Sequence, residues 1–141
     1  MHKPTDSVRV VIFDETDPSR FLVITEADDR GNWKLPGGKF EKGQDGIESP
    51  DDAAKRELQE ELRVNGEQVN LRVAETLVND DGVSMRYIYA AMARPAVINP
   101  TDEIAEAEWF TQLTLPECKN SSHILSAVAT ARIELERNNT P

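Results

Sequence analysis

Two apolar runs near the start of the chain have the composition of β-strands. Residues Val8–Phe13 and Arg20–Thr25 are rich in β-branched and aromatic side chains, and a polar segment with Asp14, Asp17 and Pro18 separates them. Such side chains fit a pleated, half-buried surface. The pattern therefore predicts two neighbouring strands joined by a turn.

A second pair of strands is predicted further along the chain. The segments Asn70–Val78 and Val83–Ala93 flank Asn79–Gly82, which ends in an Asp-Gly pair. Asp-Gly tolerates the positive φ angles that tight hairpins need, so these segments predict a β-hairpin. Residues Glu108–Thr111 predict one further short strand.

Two segments have the periodicity of helices. In Ser121–Glu136 the apolar residues recur at helical spacing, and the tail Arg137–Pro141 is predicted to be frayed. The segment Ser49–Leu62 begins with a serine N-cap, a proline at the first helical position and two aspartates in the first turn. Its apolar stripe consists of Ala54, Leu58 and Leu62.

Three carboxylates lie beside that stripe on the same helix. At about 100° per residue, Glu57, Glu60 and Glu61 fall on one side. Like charges three and four positions apart repel, and the cost rises for Glu61 because it borders the buried stripe. A hard divalent cation, Mg²⁺ or Mn²⁺, removes that cost and leaves coordination positions for water and phosphate oxygens. Arg56 is placed to hold a neighbouring carboxylate.

The charge balance strengthens the case for a metal. The 141 residues include 16 basic and 26 acidic side chains, a net charge of −10, and no basic cluster is visible along the sequence. Duplex nucleic acid and anionic membranes are normally held by clustered lysine and arginine, so neither is an expected partner. If the ligand is anionic, something other than net charge must attract it, and a divalent metal held by carboxylates is the obvious candidate.

The sequence also indicates where the protein is located and whether it binds zinc. The chain has no apolar stretch long enough for a membrane span or a secretory signal, and its only cysteine, Cys118, cannot form an intrachain disulfide. A cytoplasmic protein is therefore expected. Zinc is not expected, because His2 and His123 have no second histidine or cysteine at metal-binding spacing.

A glycine-containing loop precedes the acidic helix. In Leu35–Gly43, Gly37 and Gly38 permit unusual backbone angles and the close approach of a ligand. Loop and helix together resemble the signature of the Nudix hydrolases, whose helical half is matched by Glu48, seven residues, Arg56-Glu57-Leu58, Gln59 and Glu60-Glu61.

The match departs from the family pattern at two places. Nine residues instead of five separate Gly38 from Glu48, which indicates a four-residue insertion at Gln44–Ile47. Arg63 stands where the family has a glycine, so the helix is predicted to end without the usual left-handed cap.

The resemblance implies an α/β fold, an α-β-α sandwich with a mixed β-sheet, formed by a single domain over residues 1–141. It implies a metal-dependent hydrolase of nucleoside diphosphate-linked compounds, first of all a nucleoside triphosphate cut to monophosphate and pyrophosphate by metal-activated water. An ADP-ribose or other nucleotide-sugar pyrophosphatase is one alternative, and a non-catalytic nucleotide-binding module is another. The partner is a small nucleotide, and a homodimer is an option that the family offers.

The resemblance also assigns roles to residues of this chain. Glu57, Glu60, Glu61 and the Gly37 carbonyl become the metal ligands, Glu48 a weaker ligand, and Arg56 a residue that orients the glutamates. The general base is Glu60, Glu61 or Glu103, unless Glu103 only decorates an exposed loop. The substrate-binding candidates are Gly38, Lys39, Tyr87 and Asn120. The alternative is a solvated surface charge for Lys39, packing against a helix for Tyr87 and a helix cap for Asn120.

Overall fold

The computed structural model describes residues 5–43 and 46–138 of the chain. This part contains nine strands, two α-helices and two short 3-10 turns at Gly66–Gln68 and Pro95–Val97. The strands and helices are β1 (Ser7–Asp14), β2 (Asp17–Glu26), β3 (Asp29–Lys34), β4 (Gly37–Lys39), β5 (Lys42–Gly43), β6 (Gly46–Ile47), α1 (Pro50–Leu62), β7 (Arg72–Val78), β8 (Met85–Ala93), β9 (Ile104–Phe110) and α2 (Ser121–Asn138).

Seven of these strands form one mixed sheet. Its main order is β3-β2-β1-β8-β7, with β4 paired to β1 and β9 paired to β2. The β1–β8 pair is parallel, with Val10 opposite Tyr89, and the other pairs are antiparallel. The remaining strands, β5 and β6, form a separate two-stranded ribbon.

Both faces of the sheet are buried, each against one helix. Along β1, Val8, Val10 and Ile12 pack in a cluster that includes α1, whereas Val11 and Phe13 pack in a cluster that includes α2. A strand covered on both faces is apolar at successive positions, which explains the continuous run seen in the sequence. The predicted α-β-α arrangement with a mixed sheet is confirmed.

The predicted elements are present, with shifted ends. The β1–β2 pair and the β7–β8 hairpin form as expected. The strand predicted at Glu108–Thr111 begins earlier, at Ile104, because its backbone pairs along β2. The predicted frayed tail was wrong at its first residues: α2 continues to Asn138, and Arg137 forms an ion pair with Glu134 (3.4 Å).

The start of α1 is specified locally, as the sequence predicts. The Ser49 side chain accepts a hydrogen bond from the Asp52 N–H (3.2 Å), and Pro50 occupies the first turn. Leu58 and Leu62 are fully buried on the sheet. This packing fixes which side of α1 its carboxylates occupy.

The end of α1 corrects one expectation. Arg63 adopts the left-handed conformation (φ 53°, ψ 36°), so the left-handed cap is retained without the glycine. Left-handed backbone angles cost a non-glycine residue about 1–2 kcal/mol of conformational free energy. The Arg63 side chain offsets that cost by donating to the Pro100 carbonyl (3.0 Å).

The same loop satisfies the last carbonyls of α1. The Thr101 hydroxyl donates to the Glu60 carbonyl (2.7 Å), and the Thr101 N–H donates to the Glu61 carbonyl (2.9 Å). The Asn99 N–H donates to the Leu62 carbonyl (2.9 Å). These bonds pair groups that a helix end otherwise leaves unpaired, and they fix the segment before β9 against the acidic helix.

The predicted insertion falls partly outside the described residues. Gln44 and Asp45 lie there, whereas Gly46–Ile47 pair with Lys42–Gly43 in the two-stranded ribbon. Neither helix of the described segments combines the length and apolarity that a membrane crossing requires.

Candidate active site

A cavity of about 420 Å³ opens beside the acidic face of α1. It is formed by α1, the glycine loop, the end of β2 and the residue before β9. Of the described residues that line it, only Arg56 is basic. The carboxylates that line it are Glu26, Asp28, Glu41, Glu57, Glu60, Glu61 and Glu103.

The glycine loop lies directly on these carboxylates. The Gly37 N–H donates to Glu61 Oε1 (2.9 Å), and Gly37 has a φ of 142°. A Cβ atom at position 37 would lie 2.1 Å from the Val8 carbonyl oxygen, and one at position 38 would lie 2.5 Å from Glu57 Oε1. The sequence needs glycine at both positions so that the backbone can approach the acidic helix.

Arg56 links the carboxylates around the cavity. It forms a bidentate pair with Glu48, from Nη2 to Oε1 (2.7 Å) and from Nε to Oε2 (3.1 Å). Burial works against the charge on Glu48, but the hydrogen bonds from Arg56 and from the Glu41 N–H hold its pKa below the usual value. Arg56 also contacts Glu41 (3.3 Å), Glu57 (3.0 Å), Glu60 (3.1 Å) and the Lys39 carbonyl (2.9 Å).

Two carboxylates in the cavity have raised proton affinity. The exposed fraction is 8% for Glu57 and 3% for Glu61. Burial raises the pKa of Glu61 to about 8, with repulsion from Glu57 as the next cause, although the Gly37 N–H acts against it. Burial also raises the pKa of Glu57, against the opposing attraction of Arg56. An additional positive charge beside Glu57 and Glu61 would therefore stabilise their ionised forms.

Glu103 is brought to this cavity by the sheet. Its carbonyl accepts from the Ala27 N–H (2.8 Å), next to the pairing of Glu26 with Ile104. Its N–H donates to the Thr101 hydroxyl (3.4 Å), which is itself bonded to α1. Glu103 thus lines the same cavity as residues more than 40 positions earlier.

The structure places the other predicted residues outside the cavity lining. Lys39 is exposed beside the loop, and Glu48 lies behind Arg56. Tyr87 packs against Phe40, with ring centroids 5.7 Å apart, and against the buried cluster that includes α1, so packing on the helix side describes its placement better than base stacking. Asn120 lines a different cavity, where its amide donates to the Trp33 carbonyl (2.9 Å), and its own carbonyl accepts from the Ile124 N–H (2.8 Å) at the start of α2.

Three acidic residues of the cavity lining were not predicted from the sequence: Glu26, Asp28 and Glu41. Glu26 and Asp28 follow the predicted strand Arg20–Thr25, and polar residues directly after a strand were the available signal. Their proximity to α1 depends on the pairing of β2 with β1 and β9, which no local pattern contains.

The donor set fits a hard divalent cation. Its candidate side-chain donors are carboxylate oxygens, which magnesium and manganese prefer, and the burial of two of these carboxylates favours a nearby positive charge. Within residues 5–43 and 46–138, no three acidic, histidine or cysteine side chains already converge at ligand distance. Arg56 lies between Glu57 and Glu60.

The family model for the NUDIX domain matches residues 3–127. The chain belongs to the Nudix family. Members of this family are pyrophosphohydrolases that act on phosphoanhydride bonds and use divalent metal ions, so the chain is a Nudix-type pyrophosphohydrolase. None of the curated protein sequences matches the chain.

Solved structures share this Nudix fold at low identity. A C. elegans Ap4A hydrolase is 20% identical with a TM-score of 0.74, covering 94% of this chain and 98% of its own. The E. coli dihydroneopterin triphosphate pyrophosphohydrolase is 23% identical with a TM-score of 0.67 (92% and 98%). A Streptococcus suis ADP-ribose pyrophosphatase is 22% identical with a TM-score of 0.65 (98% and 94%).

Replacing Gly38 by alanine is expected to weaken divalent-metal binding by this Nudix domain about tenfold or more. The new methyl group would displace the Glu57 carboxylate, while the backbone at Gly38 needs no left-handed angle, so the fold should survive. Calorimetric metal titration and circular dichroism measure the two effects. Gly66→Ala is the matched control, because its Cβ meets Lys55 and Leu71 away from the cavity. Equal metal affinity in both variants would contradict the expectation.

Proposed function

We propose that this Nudix hydrolase cleaves a ribo- or deoxyribonucleoside triphosphate to the monophosphate and pyrophosphate, with Mg²⁺ or Mn²⁺ as the cofactor. The observation that carries the proposal is the carboxylate-lined cavity between α1 and the glycine loop. It offers an all-oxygen metal site at a surface where a backbone loop lets a phosphate chain approach.

The proposed roles follow from the placement of each side chain. Glu57, Glu60 and Glu61 hold the cation together with the Gly37 carbonyl, and Arg56 positions the first two carboxylates through its hydrogen bonds. The bound cation supplies charge neutralisation for the anhydride oxygens and lowers the pKa of water. Glu48 supports the metal site only indirectly, because Arg56 occupies its carboxylate.

Glu103 is the proposed general base. It lines the same cavity as the α1 carboxylates and makes no ion pair among the described residues, so its carboxylate is available to accept a proton. Water attack forms a new P–O bond, the bridging P–O bond breaks, and the water proton passes to Glu103. The leaving pyrophosphate carries the bridging oxygen.

A substrate panel tests the proposed reaction. The protein is incubated with Mg²⁺ and, separately, with the common nucleoside triphosphates, ADP-ribose and a diadenosine polyphosphate, and the products are resolved by ion-exchange chromatography. Triphosphate cleavage to monophosphate and pyrophosphate supports the proposal. Preferential cleavage of ADP-ribose would favour a nucleotide-sugar pyrophosphatase, and tight binding without turnover of any substrate would favour a non-catalytic module.

Replacing Thr101 by valine is expected to lower kcat about tenfold and the free energy of unfolding by about 1 kcal/mol. The change deletes the hydroxyl that bonds the Glu60 carbonyl and the Glu103 N–H, so it shifts the proposed base. Steady-state kinetics and urea unfolding measure the two effects. Thr101→Ser keeps the hydroxyl and should behave like the parent. In a Glu103→Gln background, Thr101→Val should have no further effect on kcat, and a further loss of the same size would argue against Glu103 as the base.

A further inference from the structure

A second cavity, of about 280 Å³, is lined by Leu35, which lies two residues before the Gly37 that lines the acidic cavity. Its charge is opposite to that of the whole chain. Four basic side chains line it against the single carboxylate of Asp29, and His123 completes its polar wall. The basic residues are Arg9 from β1, Lys34 from β3, Arg86 from β8 and Lys119 from the turn before α2.

Two of these arginines have no direct carboxylate partner. Among the described residues, neither Arg9 nor Arg86 forms an ion pair, although the charges of Glu61, Glu26 and Glu57 attract Arg9 from a longer distance. Arg9 donates to the Leu35 carbonyl (3.0 Å), and Arg86 Nη1 lies 3.2 Å from Nδ1 of His123. Arginine has no acceptor, so the neutral His123 nitrogen accepts. The Arg86 Nε atom is buried without a hydrogen-bond partner in the described structure.

Burying a guanidinium group without an anionic partner lowers the stability of the folded state, because the charge loses its hydration. Proteins normally pair such groups with anions. The α2 N-terminus also faces this cavity through Asn120, His123 and Ile124, and the partial positive charge of an 18-residue helix adds to the attraction for an anion. Arginine forks match the geometry of phosphate oxygens.

The cavity is placed to act on the same substrate as the acidic site. Lys34 bridges the two: its Nζ lies 3.5 Å from Glu26, which lines the acidic cavity, and 3.3 Å from Asp29, which lines the basic one. One molecule can therefore place a phosphoanhydride at the carboxylates and another group at the arginines.

We propose that the basic cavity binds a phosphoryl group of the substrate that is additional to the anhydride held at the acidic site. This inference rests on the proposed function for its link to turnover, but the binding site itself does not. The extra phosphoryl group has two possible sources: a phosphate ester on the nucleoside, or a further phosphate of a lengthened polyphosphate chain.

The binding step is tested with inorganic phosphate as the probe. In EDTA, phosphate at constant ionic strength should raise the melting temperature relative to chloride, because it binds the folded state. Arg86→Gln should weaken phosphate binding about tenfold or more, as should the exposed Lys119→Gln if Arg86→Gln does not fold. Arg94→Gln, with a 74% exposed side chain elsewhere, should match the parent. An equal response in all variants would overturn the proposal.

The source of the phosphoryl group is tested with matched substrates. Coenzyme A against dephospho-coenzyme A, and NADP⁺ against NAD⁺, differ only by a phosphate ester. Adenosine tetraphosphate against ATP differs only in chain length. The proposal expects at least a tenfold higher kcat/KM for the more phosphorylated member of one set, lost in Arg86→Gln and kept in Arg94→Gln. Phosphate binding with no turnover of any compound would support the phosphate site and contradict the proposed function. Turnover with no preference for the more phosphorylated compounds would support the proposed function and contradict the proposed role of the basic cavity.

Discussion

Replacing Glu60 by glutamine is expected to lower kcat about 10²–10³-fold, the loss typical of removing one preorganised electrostatic stabiliser. Glutamine keeps the shape of the side chain but not the charge that the cation requires. The fold should be unaffected, because the Glu60 side chain is 42% exposed. Its pair with Arg56 and its repulsion from Glu57 are each worth only a few tenths of a kcal/mol at such a site. Steady-state kinetics with saturating metal measure the effect.

Glu67→Gln is the control for that experiment. It removes the same charge from a 73% exposed side chain that pairs with Lys55 at the surface (2.8 Å). Its kcat should equal that of the parent. If Glu60→Gln left kcat unchanged, that result would contradict the assignment of Glu60 to the active site.

The second large effect is a pH-dependent stability that the metal abolishes. In the metal-free protein the pKa of Glu61 is about 8, well above the value of about 4.3 expected in the unfolded chain. The folded state therefore retains a proton that the unfolded state releases. The contribution to stability is complete below pH 4.3 and is lost as the pH rises to about 8. Each tenfold change in proton affinity is worth about 1.4 kcal/mol, so the loss is of the order of a few kcal/mol.

Thermal unfolding between pH 5 and pH 8 measures this loss. In EDTA, the parent should lose stability with rising pH more steeply than Glu61→Gln, whose amide does not titrate and whose oxygen still accepts the Gly37 N–H. In Mg²⁺ or Mn²⁺ the parent's decline should be reduced or reversed, because the cation binds the ionised form of the folded state. Parallel curves for the parent and Glu61→Gln in EDTA would contradict the account.

The elements that local patterns specify were predictable from the sequence. Ser49 and Pro50 define the start of α1, and the spacing of Glu57, Glu60 and Glu61 places three carboxylates on one side of it. Glu103 was predictable only through the family resemblance, since its position depends on the docking of Thr101 onto the end of α1. In each predictable case the cause lies within a few residues of the feature.

Features that depend on long-range pairing were not predictable. The left-handed Arg63 results from a balance between backbone strain and a side-chain bond to Pro100, 37 residues away. The basic cavity assembles residues from β1, β3, β8 and the turn before α2, so no segment of the sequence contains a basic cluster. A net charge of −10 conceals that local reversal of charge.

Isothermal titration calorimetry of the metal-free protein with Mg²⁺ or Mn²⁺ tests the central claim most directly. We expect the parent to bind the cation. The affinity should fall strongly in each of Glu57→Gln, Glu60→Gln and Glu61→Gln and should be unchanged in Glu67→Gln. Uptake of equal affinity in all five proteins, or no uptake by the parent, would contradict the assignment of the α1 carboxylates as the metal site.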